Sequence, residues 1–153
     1  MSQLLGSNIN GTERWIVKSN AIIEGSGKLS ISEQRVLSLL LEQVDSCQRI
    51  EADQIYTINS KAFQAKYPNI YGSRGGNAYR DIRSGLERLS KRQITIKYSN
   101  VSPDRAITVI NWLAEYSESE KSSCFEVIFT PSIRAHISLM SKHFTKYKVA
   151  ETY

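Results

Sequence analysis

Apolar residues recur at helical spacing after Ser30, which stands three positions before Glu33. A serine and a glutamate at this spacing form a capping box, in which each side chain bonds the backbone N–H of the other at the start of a helix. The aliphatic residues that follow lie on one face of a helix of about four turns: Val36, Leu37, Leu40, Leu41 and Val44. This pattern predicts a core helix.

A second helical pattern extends from Asn77 to about Arg92, after a glycine-rich turn over residues 71–76. Its apolar side occupies one sector about 100° wide, which holds Ala78, Ile82, Gly85, Leu86 and Leu89. A glycine inside a helix costs about 1 kcal/mol relative to alanine. We therefore expect Gly85 to allow close packing against a neighbouring helix.

Shorter segments on either side of this helix alternate between apolar and polar residues and predict β-strands. Before it, residues 54–58 form one such strand, and a short helix over 61–67 follows and ends at Pro68. After it come three more predicted strands, over residues 94–98, 107–116 and 125–129. The region therefore reads as two helices joined by a turn, followed by a hairpin or a three-stranded antiparallel sheet.

A last helix is predicted to begin at Pro131, with Thr130 as its cap and Ile133, Ile137 and Met140 on its apolar side. Two helices joined by a tight turn and followed by a β wing form the winged version of the helix-turn-helix, an α+β fold. In helix-turn-helix proteins the second helix enters the major groove of DNA. The order of elements thus predicts a winged helix with one candidate reading helix, residues 77–92.

Composition is that of one globular domain: 153 residues, 41% hydrophobic and a net charge of +5. Residues 1–14 are mostly polar and aperiodic, and we expect them to form a flexible N-terminal arm. Cys47 and Cys124 are too far apart to form a metal-ligand motif, and they predict two reduced thiols in a cytoplasmic protein. The chain has neither a signal-peptide pattern nor an apolar run long enough to cross a membrane.

Basic residues are concentrated in two segments. Residues 74–97 hold seven basic and two acidic residues, and residues 131–148 hold four basic residues and no acidic one, so the rest of the chain is slightly acidic. Such segregation favours a polyanionic partner, because neighbouring cations add their fields. An ordinary solvated surface explains the same charges equally well.

The outward side of the predicted long helix is rich in hydrogen-bond donors. At about 100° per residue, Arg80, Ser84, Glu87 and Lys91 point away from the apolar sector, with Asn77 and Arg83 on its flanks. Arginine pairs bidentately with guanine and asparagine with adenine, while further cations suit phosphates. The candidate DNA-binding residues are Arg74, Asn77, Arg80, Arg83, Ser84, Lys91, Arg92 and Lys97. In the alternative, Arg80 and Arg83 pair with nearby acids and the helix is merely solvated.

The strand that begins at Ile107 is apolar on both faces. One face carries Ile107 and Val109, and the other carries Ile110 and Trp112. A strand of this kind is either central in a sheet or covered by a partner, and an edge strand can extend a sheet into a second copy. These four residues are therefore candidates for a dimer interface, and internal pairing with residues 125–129 is the alternative.

Candidate catalytic and metal sites are weak, so we expect a protein that is not an enzyme and needs no cofactor or metal. The sequence Gly25-Ser26-Gly27-Lys28 lacks the flanking residues of a phosphate loop. His136 and His143 lie seven residues apart without a further ligand. A nicking nuclease of replication would need a tyrosine or carboxylates beside metal-binding histidines, and the eight tyrosines have no such neighbours.

Six segments, in order along the chain, resemble the Rep initiator proteins of iteron-controlled plasmids. They are WIVKSNA at 15–21, LSISEQR at 29–35, AYRDIR at 78–83, INWL at 110–113, FEVIFTP at 125–131 and FTKYK at 144–148. The resemblance covers residues 15–152, nearly the whole chain, and its specificity comes from six motifs in the right order.

The resemblance implies two winged-helix domains in tandem, of which residues 15–153 would be the first, with the second expected after Tyr153. Such initiators bind iterons at a replication origin as monomers and melt the adjacent DNA, and as dimers they repress their own promoter. The first domain would supply dimer contacts and DNA-backbone contacts. The implied partners are duplex origin DNA, a second copy and host replication proteins. A pure dimerisation module without direct DNA contact is the alternative.

Overall fold

The computed structural model of the protein describes residues 2–44, 54–72, 76–98, 106–119 and 121–143. Its helices are α1 (Ser2–Gly27), α2 (Ile31–Leu41), α3 (Ser60–Lys66), α4 (Pro68–Tyr71), α5 (Gly76–Lys91) and α6 (Pro131–His143). Its strands are β1 (Tyr56–Asn59), β2 (Gln93–Lys97), β3 (Ile107–Asn111), β4 (Leu113–Ser119) and β5 (Cys124–Phe129).

The capping box predicted at the start of α2 is confirmed. The Ser30 hydroxyl accepts a hydrogen bond from the Glu33 N–H (3.3 Å), and the Glu33 carboxylate accepts one from the Ser30 N–H (3.2 Å). The predicted apolar face is buried in the core at Val36, Leu37, Leu40 and Leu41. The helix is shorter than expected, because it ends at Leu41 and leaves Val44 outside it and half-buried.

Helix α5 packs directly against α2, and the contact depends on Gly85. A Cβ atom at this position would lie 2.9 Å from Cγ2 of Val36 and 3.2 Å from the backbone oxygen of Ser32. The close helix packing predicted at Gly85 is therefore confirmed. The predicted apolar sector of α5 is also confirmed, since its four side chains are fully buried: Ala78, Ile82, Leu86 and Leu89.

The strands form two separate antiparallel sheets, one with the order β1-β5-β4 and the other with β2 beside β3. The prediction of one continuous strand over 107–116 is wrong, because the chain bends at Trp112 between β3 and β4. The Trp112 side chain is buried in the core (1% exposed), and its carbonyl accepts a hydrogen bond from the Thr130 N–H. Anchoring Trp112 in this way lets β3 and β4 enter different sheets.

The bend gives the two hairpins different neighbours. The β4–β5 hairpin joins β1 and packs beside α5, which is the wing position next to the second helix of the helix-turn-helix. The β2–β3 hairpin packs against α1, where Gly25 lies so close to Ile94 that an added Cβ would come within 3.3 Å of its side chain. The hairpin that directly follows α5 in sequence is therefore separate from the wing.

The two ends of the described chain are helical. Residues 1–14 were expected to form a flexible arm, whereas α1 begins at Ser2. Extending an existing helix adds a hydrogen bond for each residue ordered, so the packed second half of α1 can support its first half. Helix α6 begins at Pro131 as predicted, and its expected apolar side is buried at Ile133, Ile137 and Met140.

Replacing Gly85 by alanine should destabilise the fold although alanine is the better helix former. The added methyl would meet the backbone of Ser32, which cannot move away as a flexible side chain can, and overpacking of this kind costs about 1–3 kcal/mol. Thermal unfolding should show a Tm lower by about 2–4 °C per kcal/mol for a domain of this size.

Gly27→Ala is the matched control, because a Cβ there has no atom within 4 Å. The control should leave the Tm unchanged or slightly higher. A Gly85→Ala protein as stable as the control would contradict the close contact between α2 and α5.

Candidate nucleic-acid interface

The start of α5 is held in place by the preceding turn. The Tyr71 hydroxyl, at the end of α4, donates a 2.6 Å hydrogen bond to Asp81 in the second turn of α5. Burial and this hydrogen bond raise the pKa of the Tyr71 hydroxyl, so it stays protonated as the donor. Gly72 has φ of +58°, a left-handed conformation that favours glycine, and its carbonyl accepts a hydrogen bond from Gln64 of α3.

The outward side of α5 carries the residues predicted for it. Asn77, Arg80 and Lys91 are exposed and Ser84 is partly exposed, opposite the buried sector. Arg80 has no ion-pair or hydrogen-bond partner among the described residues. Lys91 forms a 3.5 Å pair with Glu87 one turn earlier, and both side chains remain largely exposed.

Arg83 forms an ion pair with Glu118 on β4. For this residue, the alternative that the arginines of α5 pair with acids is therefore correct. The Arg83 Nε and Nη2 atoms donate to the two carboxylate oxygens at 2.8 and 2.5 Å. Hydrogen bonding from Arg83 holds the pKa of Glu118 below its usual value. The Arg83 side chain is still 47% exposed, so this pair ties α5 to the wing hairpin without burying the guanidinium group.

Arg92 has a structural partner in place of the phosphate contact predicted for it. Its guanidinium group donates to the fully buried Glu33 carboxylate at 3.0 to 3.3 Å. Burial of Glu33 opposes its ionisation, but the hydrogen bonds from Arg92 and Ser30 outweigh that effect and lower its pKa. Removing one partner of a pair whose carboxylate is buried leaves that charge uncompensated, so Arg92 connects the end of α5 to the start of α2.

The predicted DNA-binding residues therefore fall into separate groups. Asn77, Arg80, Ser84 and Lys91 share the outer side of α5, with Arg83 turned toward β4. Lys97 is exposed on the β2–β3 hairpin, which is separate from both α5 and the wing hairpin. Arg74 lies outside the described residues.

The sequence analysis did not select Arg88, which is exposed on α5 and has no ion-pair partner among the described residues. The sequence could have indicated Arg88 as a candidate, because it stands four residues after Ser84 and residues at this spacing share a helix face. The exposed cations of α5 that lack a carboxylate partner in the described structure are thus Arg80 and Arg88.

The candidate dimer residues divide in two. Ile107 and Val109 are 60% and 53% exposed on the outer face of the β2–β3 hairpin. Ile110 and Trp112 are wrong as interface candidates, because they are 7% and 1% exposed and belong to the core of this same chain. Successive side chains of a strand point to opposite faces. Here one face is buried in the core, so only the face with Ile107 and Val109 can meet a partner.

The described residues include no group of three or more His, Cys, Asp or Glu side chains placed to hold a metal ion. None of the helices in the described part of the chain is long and apolar enough to cross a membrane. Cys124 is a free, partly buried thiol, and Cys47 lies outside the described residues.

Comparison with known proteins places this arrangement in a family. The family described as "Initiator Replication protein, WH1" matches residues 15–153. The crystal structure of the MSBI1.176 WH1 domain, a replication protein isolated from a multiple sclerosis patient, superposes with a TM-score of 0.68 at 22% identity. That match covers 87% of this chain and 97% of the other.

A second solved structure, the Pi initiator protein in complex with iteron DNA, superposes with a TM-score of 0.63 at 18% identity. The match covers 78% of this chain and 48% of Pi, so this chain spans about half the length of that relative. Together with the family match, these superpositions confirm the predicted α+β winged-helix fold.

Glu33→Gln should destabilise the domain by about 1.5–3 kcal/mol, the usual contribution of a hydrogen bond to a charged group. Glutamine can keep the capping box, so the loss would report on the ion pair with Arg92. The measurement is urea unfolding of both proteins at several pH values.

The difference between the two proteins should depend on pH. The folded-state pKa of Glu33 is lowered from 4.5, so its stabilising contribution is complete above that value and disappears as the pH falls through the folded-state pKa. Glu24→Gln, on an exposed residue of α1, is the matched control. A difference between Glu33→Gln and wild type that persists unchanged at acid pH would disprove the ion-pair explanation.

Proposed function

Because the chain belongs to the WH1 family of initiator replication proteins, we propose that it is the DNA-contacting and dimer-forming N-terminal domain of a plasmid replication initiator. The family membership confirms the resemblance found in the sequence. The proposed partners are duplex DNA of a replication origin and a second copy of the chain. The proposed role is cytoplasmic and non-catalytic, and it includes repression of the initiator's own promoter by the dimer.

The observation that carries the DNA-binding proposal is the charge arrangement on α5. Its two carboxylates are both engaged, Asp81 by the Tyr71 hydroxyl and Glu87 by Lys91. Arg80 and Arg88 are therefore left exposed and without a carboxylate partner in the described structure. Cations in this state can approach phosphates or base edges without first breaking an ion pair.

The wing hairpin restricts how DNA could lie on this face. Glu118 on β4 holds Arg83 of α5, and Glu115 and Glu126 add negative charge to the same hairpin. A DNA backbone would be repelled from these strands, so we assign the main contact to α5 itself. The Pi initiator protein, which shares the fold, is recorded in complex with iteron DNA, and we propose the same class of ligand here.

The dimer proposal rests on the β2–β3 hairpin. Its outer face presents Ile107 and Val109 opposite Lys97 and Thr95, and all four side chains are exposed. Within the described residues β3 pairs with β2 alone, so its other edge has no strand partner. An exposed apolar strand at a sheet edge can pair with the same strand of a second copy around a two-fold axis.

The alternative function, a dimerisation module without DNA contact, is favoured by two observations. Arg83 is occupied by Glu118, and Arg92 by Glu33. In this alternative the remaining cations of α5 are simply solvated. The following experiments separate the two functions, because only DNA binding requires Arg80.

Arg80→Ala together with Arg83→Ala should abolish measurable binding of the domain to duplex origin DNA. Each arginine is expected to contribute about 1–3 kcal/mol, and fluorescence anisotropy at several salt concentrations measures the affinity. Wild-type affinity should fall with salt, with a log–log slope of about −0.9 for each phosphate neutralised. Lys142→Ala, on an exposed residue of α6, is the control and should bind as wild type does.

Glu118→Gln should have the opposite effect and tighten DNA binding, because it releases Arg83 and removes a negative charge beside α5. If the arginine variants and Glu118→Gln all leave DNA binding unchanged, α5 is not the contact surface. If wild type shows no salt-dependent binding at all, the dimerisation module is the better description.

Val109→Lys should shift a homodimer toward monomer, because it places a charge in the outer face of the hairpin. Sedimentation equilibrium measures the change as a weaker dimer constant. Ile55→Lys is the matched control, since Ile55 is equally exposed (51%) but lies just before β1. Equal dimerisation of the two variants would exclude the β2–β3 hairpin as the interface.

A further inference from the structure

A cleft of about 350 Å³ lies between α1, the β2–β3 hairpin and α6. Its lining includes Arg14, Trp15, Lys18, Tyr98, Thr108 and His136. Two of these side chains are cationic, three carry aromatic rings, and none of the described residues that line the cleft has a carboxylate. The cleft is formed by elements other than α5, so it is distinct from the proposed DNA-contacting face.

His136 is the most deeply placed group in this lining, with 2% of its surface exposed. Its Nδ1 atom is 2.7 Å from the Ser19 hydroxyl, whereas its Nε2 atom is buried and has no hydrogen-bond partner among the residues that the structure describes. Burial, with a smaller contribution from Lys18, lowers the pKa of His136 to about 4. The ring is therefore neutral at pH 7, and when Ser19 donates to Nδ1 its remaining proton lies on Nε2.

Buried polar atoms in folded proteins almost always have a hydrogen-bond partner, and an exception requires an explanation. The Nε atom of Arg14 is a second exception at the same cleft, since it too is buried and unpartnered. Both side chains belong to residues that line the cleft.

Neither cation of the cleft forms an ion pair within the described part of the chain. The Arg14 guanidinium group stacks over the Tyr98 ring at 4.7 Å, and the Lys18 ammonium group donates to the neutral hydroxyl of Ser132 at 3.1 Å. Trp15 stacks on His136 with ring centroids 3.8 Å apart and is itself 47% exposed at the cleft. Two cations, Arg14 and Lys18, beside a histidine nitrogen that carries a proton when Ser19 donates to Nδ1, are groups that bind an oxyanion.

We propose that this cleft binds a phosphate group, held by Arg14 and Lys18 and by His136 in the tautomer that places its proton on Nε2. The phosphate could belong to a free nucleotide or to a DNA backbone, and the chemistry of recognition is the same. The site does not depend on the proposed contact of α5 with DNA, because none of its residues lies on that helix.

The test is a titration of the whole chain with inorganic phosphate, with deoxyadenosine monophosphate and with a short DNA duplex. Nitrogen NMR of the histidine side chains follows Nε2 of His136, whose resonance should shift as it gains an acceptor. Trp15 fluorescence, obtained as the difference between wild type and Trp15→Phe, should change over the same concentration range.

Lys18→Gln should weaken the binding of phosphate at least about tenfold, because it removes one charge-assisted hydrogen bond. Arg14→Gln should act in the same direction. Both residues lie in the partly exposed segment of α1, so the variants should fold, which circular dichroism checks. Lys142→Gln, on an exposed residue of α6 that does not line the cleft, should bind as wild type does.

The three probes distinguish the sources of phosphate. Shifts of His136 with inorganic phosphate and the mononucleotide support a site for a free nucleotide, and shifts with the duplex alone support a backbone contact. With inorganic phosphate or the mononucleotide, Arg80→Ala should leave the His136 shift intact, which separates this site from the α5 contact. No shift of His136 with any of the three probes, or equal binding by Lys18→Gln and Lys142→Gln, would overturn the proposal.

Discussion

The close approach of α2 and α5 is the contact on which the rest of the domain depends. Gly85 removes the Cβ that would otherwise strike Val36 and the backbone of Ser32. The Glu33–Arg92 pair connects the start of α2 to the end of α5. The hydrogen bond from Tyr71 to Asp81 holds the beginning of α5. Helix α5 is thereby fixed along its length, so its outer side chains form a surface of defined orientation.

The same contacts determine which charged side chains of α5 are paired within the fold and which are exposed without a partner. The carboxylates near its outer side are occupied by Tyr71 and Lys91, which leaves Arg80 and Arg88 exposed without an acidic partner in the described structure. Arg83 instead joins α5 to the wing hairpin through Glu118. A basic helix beside an acidic hairpin restricts the path of a polyanion more than a uniformly basic surface would, because attraction and repulsion lie side by side.

The bend at Trp112 explains how one stretch of apolar sequence serves two purposes. Before it, β3 belongs to a hairpin against α1, with Ile107 and Val109 exposed and with one edge that no described strand covers. After it, β4 belongs to the sheet that forms the wing beside α5. The hairpin against α1 also closes one side of the cationic cleft, so the candidate dimer surface and the candidate phosphate site share an element.

Local pattern in the sequence was enough to determine the capping box, the buried sectors of α2 and α5, the close packing at Gly85 and the outward side of α5. These features depend on residues within a few turns of one another, where helical and strand periodicity is a direct guide.

The sequence could not show which acids Arg83 and Arg92 would meet, since Glu118 and Glu33 lie 35 and 59 positions away. It also missed the bend at Trp112 and the contact of His136 with Ser19, 117 positions apart. Only the tertiary structure brings such residues together, because long-range partners are chosen by how the elements pack.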